Sequence, residues 1–293
     1  MKITWKYITM VLAVGLLATC EVIGPEEQEK VIFTPTDPSA VKRTSLLIEY
    51  SGWQCVNCPT AAEEAHHLKD LYGEELVVVV MHPESNPNTR HNNKPALNYT
   101  CPEADSLYIM MGGTNTTPFP TGNVNMVKDA NQGYFNDYEK WGTLVSQAYA
   151  NPKPVILSQE VYSIDTNVVF IAVDITNLDS VMMDATLQVW LTEDSVIGSQ
   201  KKPEGTDKQY AHNHLMRASI SPLWGETLPL DAHMTQQIVY EYTLPKKVKK
   251  ENCNIVSIVS VNGEVVQAKE TKVGVDLRVE GLKFRKITKN ITI

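Results

Sequence analysis

Cys55-Val56-Asn57-Cys58 is the pairing in this sequence whose residue types and spacing point most directly to chemistry. Two residues between the sulfurs let them close a small disulfide ring. The thiolate is the attacking species, and a helix N-terminus stabilises it through unpaired N–H groups and the positive end of the helix dipole. In that arrangement Cys55 is the exposed nucleophile and Cys58 the resolving thiol. The same two residues also suit a fixed structural disulfide or half of a zinc site. Zinc would want a second pair at similar spacing, and the sequence has none.

The surrounding elements must place the motif. Leu46 to Ser51 is an apolar, strand-like run leading into Gly52. Thr60 to Tyr72 carries Ala61, Ala62, Ala65, Leu68, Leu71 and Tyr72 at helical spacing, so a helix is expected over 58–72, closed by Gly73. Leu76 to Met81 is a second apolar strand. Strand, Cys-x-x-Cys, helix and strand in this order resemble a thioredoxin-type redox site. Glu49, six positions before Cys55, matches the buried acid that lies beneath the resolving cysteine in thioredoxins, a candidate proton acceptor; a solvated glutamate is the alternative. Thr117-Pro118-Phe119-Pro120-Thr121-Gly122 resembles the thioredoxin loop whose proline is cis and faces the cysteines. Cis bonds are nearly confined to X–Pro. Pro120, followed by Thr, matches better than Pro118, with an ordinary proline turn as the alternative. The candidate catalytic set is Cys55, Cys58, Pro120 and Glu49, with no cofactor and no metal.

The first 20 residues read as a leader rather than as fold. Lys2 and Lys6 precede an apolar run, Ile8 to Leu17, too short to span a bilayer. Leu17-Ala18-Thr19-Cys20 resembles a lipobox, so Cys20 is the expected lipidation site and membrane anchor; a plain signal peptide is the alternative. Without the leader, Lys plus Arg falls from 26 to 24 against 34 acids, a charge of −10 in place of −8. That argues against nucleic-acid binding, which wants a basic face, and suits an acidic envelope protein. Cys101 and Cys253 remain and read as two buried free thiols, a bridge between the halves being the alternative.

Residues 21–43, acidic and proline-bearing, form the expected tether, with Val31 to Phe33 as a short edge strand. Residues 44–150 form the expected first domain. In it Pro83 to Pro95 is an Asn-rich loop, 102–111 an inserted helix, 123–127 a strand and 134–149 a closing amphipathic helix. Asn151-Pro152-Lys153-Pro154 is the expected boundary. Beyond it the apolar period becomes two: runs at 155–162, 168–175, 186–191, 237–243 and 254–261 are expected strands, and Asn262-Gly263 is a hairpin signal. Residues 151–293 therefore read as an all-β, immunoglobulin-like sandwich after an α/β thioredoxin-like domain. His212 and His214 would share a face of a strand, and His-x-His can chelate a metal; with His233 as the only later histidine, a structural role is favoured. Asp-Ser-x triplets at 105, 179 and 194 resemble an O-glycosylation acceptor pattern of some envelope proteins.

The chain as a whole resembles the 28-kDa outer-membrane-protein-related family of Bacteroidota-type lipoproteins. The resemblance rests on the lipobox, Gly52-x-x-Cys55-x-x-Cys58-Pro59, Leu68-x-x-Leu71-Tyr72-Gly73, His82 after the valine-rich strand, Phe119 to Asn125, and His212-Asn213-His214 through Trp224-Gly225. Met126 stands where the family often has Arg. The resemblance implies a thioredoxin-like domain joined to a β-rich domain at the outer membrane, with the face it occupies left open. Two activities are expected from the residues: thiol–disulfide exchange with cysteine-containing envelope proteins, or a non-catalytic surface module with a structural disulfide. Nothing in the sequence fixes the oligomeric state.

Overall fold

The computed structural model describes residues 41–90, 99–130, 133–163 and 167–274, all within one compact unit of the chain. The expected leader, its Cys20, the edge strand at 31–33 and most of the tether lie outside the described residues.

An apolar strand, β1 (Ser45–Tyr50), leads into helix α1 (Cys58–Tyr72) and strand β2 (Leu76–Met81), which pairs in parallel with β1 from Ser45↔Leu76 to Tyr50↔Met81. Helix α1 ends at Gly73, whose φ of +56° favours glycine and whose N–H bonds the Lys69 carbonyl. Helix α2 (Pro102–Met110) follows, then β3 (Thr121–Val124), antiparallel to β1, and helix α3 (Trp141–Tyr149). The strand expected to run to residue 127 stops at Val124, because Asn125 and Met126 both take left-handed φ. The helix expected from 134 starts only at Trp141, after a short helical turn at Tyr138–Lys140. Asn136 instead pairs its backbone with Gly122, and the Asn123 side chain donates to the Tyr134 carbonyl at 2.7 Å.

The second half is made of strands: β4 (Val155–Ser163), β5 (Val168–Asn177), β6 (Met183–Glu193), β7 (Val196–Lys202), β8 (Gly205–His212), β9 (Leu215–Ser219), β10 (Glu226–Leu230), β11 (Thr235–Thr243), β12 (Cys253–Val261) and β13 (Glu264–Lys272). Asn262 and Gly263 both have positive φ in the tight turn joining β12 to β13, as the Asn-Gly signal requires.

Strands of both halves join in one sheet. One sheet runs β13-β12-β6-β9-β2-β1-β3, with β10 added on β6. The seam is β2 against β9: Val80 pairs with Leu215, and its N–H bonds the His214 carbonyl at 2.8 Å. Residues 151–154, the expected domain boundary, link α3 to β4. Alternation along the strands sends side chains to opposite faces. Leu46, Ile48 and Tyr50 share a core with Leu107 and Tyr108 of α2 and with Trp190, Met216, Val256 and Ile258 from the second half. On the other face, Leu47 and Val78 pack against Ala61, Ala65 and Leu68 of α1 and Trp141 of α3. Farther along, Leu187, Val189, Leu191 and Ile255 meet Val169, Ile171 and Val173 of a three-stranded sheet, β11-β5-β4. The hairpin β7–β8 is paired only with itself. Among the described residues no helix is long and apolar enough to cross a membrane.

Candidate functional site

Cys58 is the first residue of α1, and Pro59 follows in the first turn, where a missing N–H costs nothing. Cys55 lies just ahead, its N–H bonded to the Gly52 carbonyl at 3.0 Å. A disulfide joins the two, with Cα atoms 5.4 Å apart. The expected exposure of Cys55 is not found: it is 4% accessible and Cys58 1%. The β7–β8 hairpin supplies a cover that the motif gave no sign of. Gln200 donates its Nε2 to the Cys55 carbonyl at 2.8 Å and to the Gly52 carbonyl at 3.3 Å. Lys201 gives its N–H to the Trp53 carbonyl at 2.8 Å.

A second strap comes from residues 83–90. The Gln54 N–H bonds the Asn88 carbonyl at 2.9 Å, and its side chain bonds the Arg90 carbonyl at 2.7 Å. Gly52 is needed here, since a Cβ would stand 2.5 Å from the Asn88 carbonyl oxygen. Asn86 fixes this strap. Its Nδ2 donates to the Thr117 carbonyl at 3.0 Å and the Tyr108 hydroxyl at 3.2 Å, and its Oδ1 accepts from the Asn88 N–H at 3.0 Å.

Glu49 sits on the face of β1 that turns toward α1 and is buried, with neither carboxyl oxygen in a well-formed hydrogen bond. Burial pushes its pKa up to about 7, against smaller opposing effects of the Ser51 side chain and of charge on His214. Glu49 and Cys58 line one small cavity, with Ser51, Gln200, Tyr210 and His212. The bond between Phe119 and Pro120 is cis. Thr121 pairs with Tyr50, so the register puts Pro120 level with Ser51, where the chain leaves β1 for the motif.

His212 and His214 do not share a strand face. His212 ends β8, while His214 stands in the turn before β9 with φ of +55°. Burial lowers the His212 pKa to about 4, against the Ser199 carbonyl that its Nε2 meets at 3.3 Å. Its ring packs on Tyr99 and His82, at centroid distances of 4.4 and 5.5 Å. His214 Nδ1 lies 3.4 Å from Asp194 and 3.8 Å from Glu270. Among the described residues no cluster of three or more His, Cys, Asp or Glu side chains is placed to hold a metal ion. Cys101 and Cys253 are free and buried, and burial raises each pKa to about 12.

The model of one protein family, described as outer membrane protein Omp28, matches residues 111–277, more than half of the 293-residue chain. The chain belongs to the Omp28 outer membrane protein family. Its location is accordingly the outer membrane. A search of curated proteins gave no match. Among solved structures, this Omp28-family protein is similar to HBP35 of Porphyromonas gingivalis, at 16% identity and a TM-score of 0.64, over 85% of this chain and 81% of that one. At that identity the likeness is one of fold alone. A domain of the outer membrane lipoprotein Omp28 from Porphyromonas gingivalis matches at 18% identity and a TM-score of 0.30, over 41% of this chain and 88% of that one.

Proposed function

We propose that this protein is a thiol–disulfide oxidoreductase of the outer membrane, working through Cys55 and Cys58 on exported proteins that carry cysteines. In this reading β1, α1, β2, β3 and α3 form a thioredoxin-like unit, and β4–β5–β11 packed on β6, β10 and β12 form an immunoglobulin-like sandwich fused to it. The observation that carries the proposal is the shared cavity of Glu49 and Cys58, which puts a carboxyl titrating near neutral pH beside the resolving sulfur.

The exchange balances as follows. A substrate thiolate attacks Cys55 Sγ, a mixed disulfide forms, and the Cys55–Cys58 bond breaks with its electron pair on Cys58. Glu49, as the acid, gives its proton to that thiolate, and a second substrate thiolate then attacks the substrate sulfur of the mixed disulfide, forming the substrate disulfide and releasing Cys55 as a thiolate. In the opposite direction Cys55 attacks a substrate disulfide, Glu49 takes the Cys58 proton, and Cys58 displaces the substrate from Cys55. Pro120 would shape the face that a substrate peptide meets. A lipid on Cys20 would hold the protein at the membrane.

The burial of both sulfurs under Gln200 favours a second reading, in which the disulfide is a static staple of a non-catalytic surface module. The reduction potential separates the two. Exchange proteins poise at roughly −120 to −270 mV, while structural disulfides lie below about −300 mV. A measured value in the first range supports exchange, and one in the second supports the staple.

A further inference from the structure

Burial dominates the ionisation of Glu49, and a nearby charge can tune it further. Across the strand pair, Glu49 faces Val80, which carries no charge. A charge acting on Glu49 comes instead from His214, in the second half of the chain. Val80 pairs with Leu215 and gives its N–H to the carbonyl of His214, so the row across the seam is Glu49, Val80 and Leu215, with His214 one residue before it in the turn between β8 and β9. Glu49 and His214 also line one cavity, which shares Glu49, Ala62, Val80, Tyr210 and Asn213 with the one at Cys58. It is bounded by Glu63 and His66 of α1 and Tyr210 of β8. Glu49 thus stands between two cavities, one shared with Cys58 and one shared with His214.

His214 meets two carboxylates, one after β6 and one on β13. Its N–H bonds Asp194 Oδ1 at 2.8 Å, its ring Nδ1 lies 3.4 Å from the same carboxylate, and Glu270 of β13 stands 3.8 Å away. Lys69 of α1 pairs with Glu270 at 3.1 Å, which limits how much of that carboxylate's charge His214 feels. Burial alone would lower the His214 pKa, but Glu270 and Asp194 outweigh it and the value is raised. The groups facing Glu49 and His214 together are therefore Asp194, Glu270, Lys69, Glu63, His66 and Tyr210.

We propose that His214 is a positioning residue of the dithiol site: lying against Asp194 and Glu270, it faces the cavity it shares with Glu49 and, when protonated, lowers the proton occupancy with which Glu49 meets Cys58. The inference rests on the exchange reading for its purpose, while the coupling of the two residues stands apart from it.

The test follows the Glu49 carboxyl directly, by carbon NMR of full-length protein labelled at glutamate, with Glu49→Gln assigning the signal. His214→Gln should move the Glu49 midpoint to higher pH, because a cation that favoured the carboxylate has gone; His214→Lys should keep it at or below the wild-type midpoint. In the unmodified protein the same signal should show a second, smaller inflection at the pH where the His214 ring titrates, a readout that needs no variant to fold. An unmoved midpoint in folded His214→Gln, or no His214 inflection in the wild type, overturns the proposal. A moved midpoint in a protein whose reduction potential is that of a staple sustains the coupling and removes the exchange reading instead.

Discussion

Gln200 of the β7–β8 hairpin donates its side-chain amide to the backbone carbonyl of Cys55 at 2.8 Å, so a residue 145 positions away closes the cover over the disulfide. Cys55 is 4% accessible under this cover, so loosening of the contact is expected to speed reaction at its sulfur. Gln200→Ala should remove a hydrogen bond of about 1 kcal/mol, enough for a roughly five-fold change in an opening equilibrium. The disulfide should then be reduced several-fold faster by a soluble phosphine, measured by quenching and mass. An unchanged rate would mean that the hairpin does not limit access.

Glu49 makes stability depend on pH in a stated direction. Its folded pKa is near 7 against 4.5 for an unburied carboxyl. The native state therefore holds the proton more tightly, and stability falls as pH rises from below 4.5 through 7. At about 1.36 kcal/mol per pKa unit the loss is on the order of 3 kcal/mol above pH 8. Glu49→Gln should match wild type near pH 4 and exceed it in urea unfolding at pH 8. Equal destabilisation at both pH values would refute the buried, proton-binding carboxyl.

Trp190 tests whether the halves are one body. It is buried on β6 yet packs in the core that Leu107 and Tyr108 of α2 share with β1. Trp190→Ala should cost about 3–5 kcal/mol, and calorimetry should show one lowered transition. Two transitions, only one of them shifted, would restore the pair of independent domains.

The lipobox reading of Cys20 has its own check. Cys20→Ser should move the protein from the membrane fraction to the soluble fraction and abolish any acyl mass. A variant that stays with the membrane, from a wild type without acyl mass, would remove the anchor.

Much of this site was legible because local rules governed it. The run 46–51, the helical spacing of 60–72 and Gly73 define α1 and its flanking strands through neighbouring residues alone. The same holds for Pro120, whose cis bond lies in a short proline pattern. What escaped is long-range. Strands β7, β8 and β10 carry weak alternation, because β7 and β8 are paired only with each other and β10 joins the sheet by one edge. No period in the sequence indicates that Gln200 would reach Cys55, or that Val80 would pair with Leu215. Residues 134–140 show the reverse failure: the apolar spacing there suits a helix, but Asn136 is drawn into pairing with Gly122.

The claim that Cys55 and Cys58 exchange disulfides is tested most directly by trapping. In Cys58→Ser the resolving thiol is gone, so a mixed disulfide at Cys55 should persist. Non-reducing gels of envelope extracts should then show bands that disappear on reduction, and Cys55→Ser should show none. Bands for Cys58→Ser alone are the result expected of an oxidoreductase. No bands for either variant, with both equally destabilised, would contradict it and leave the disulfide as a staple.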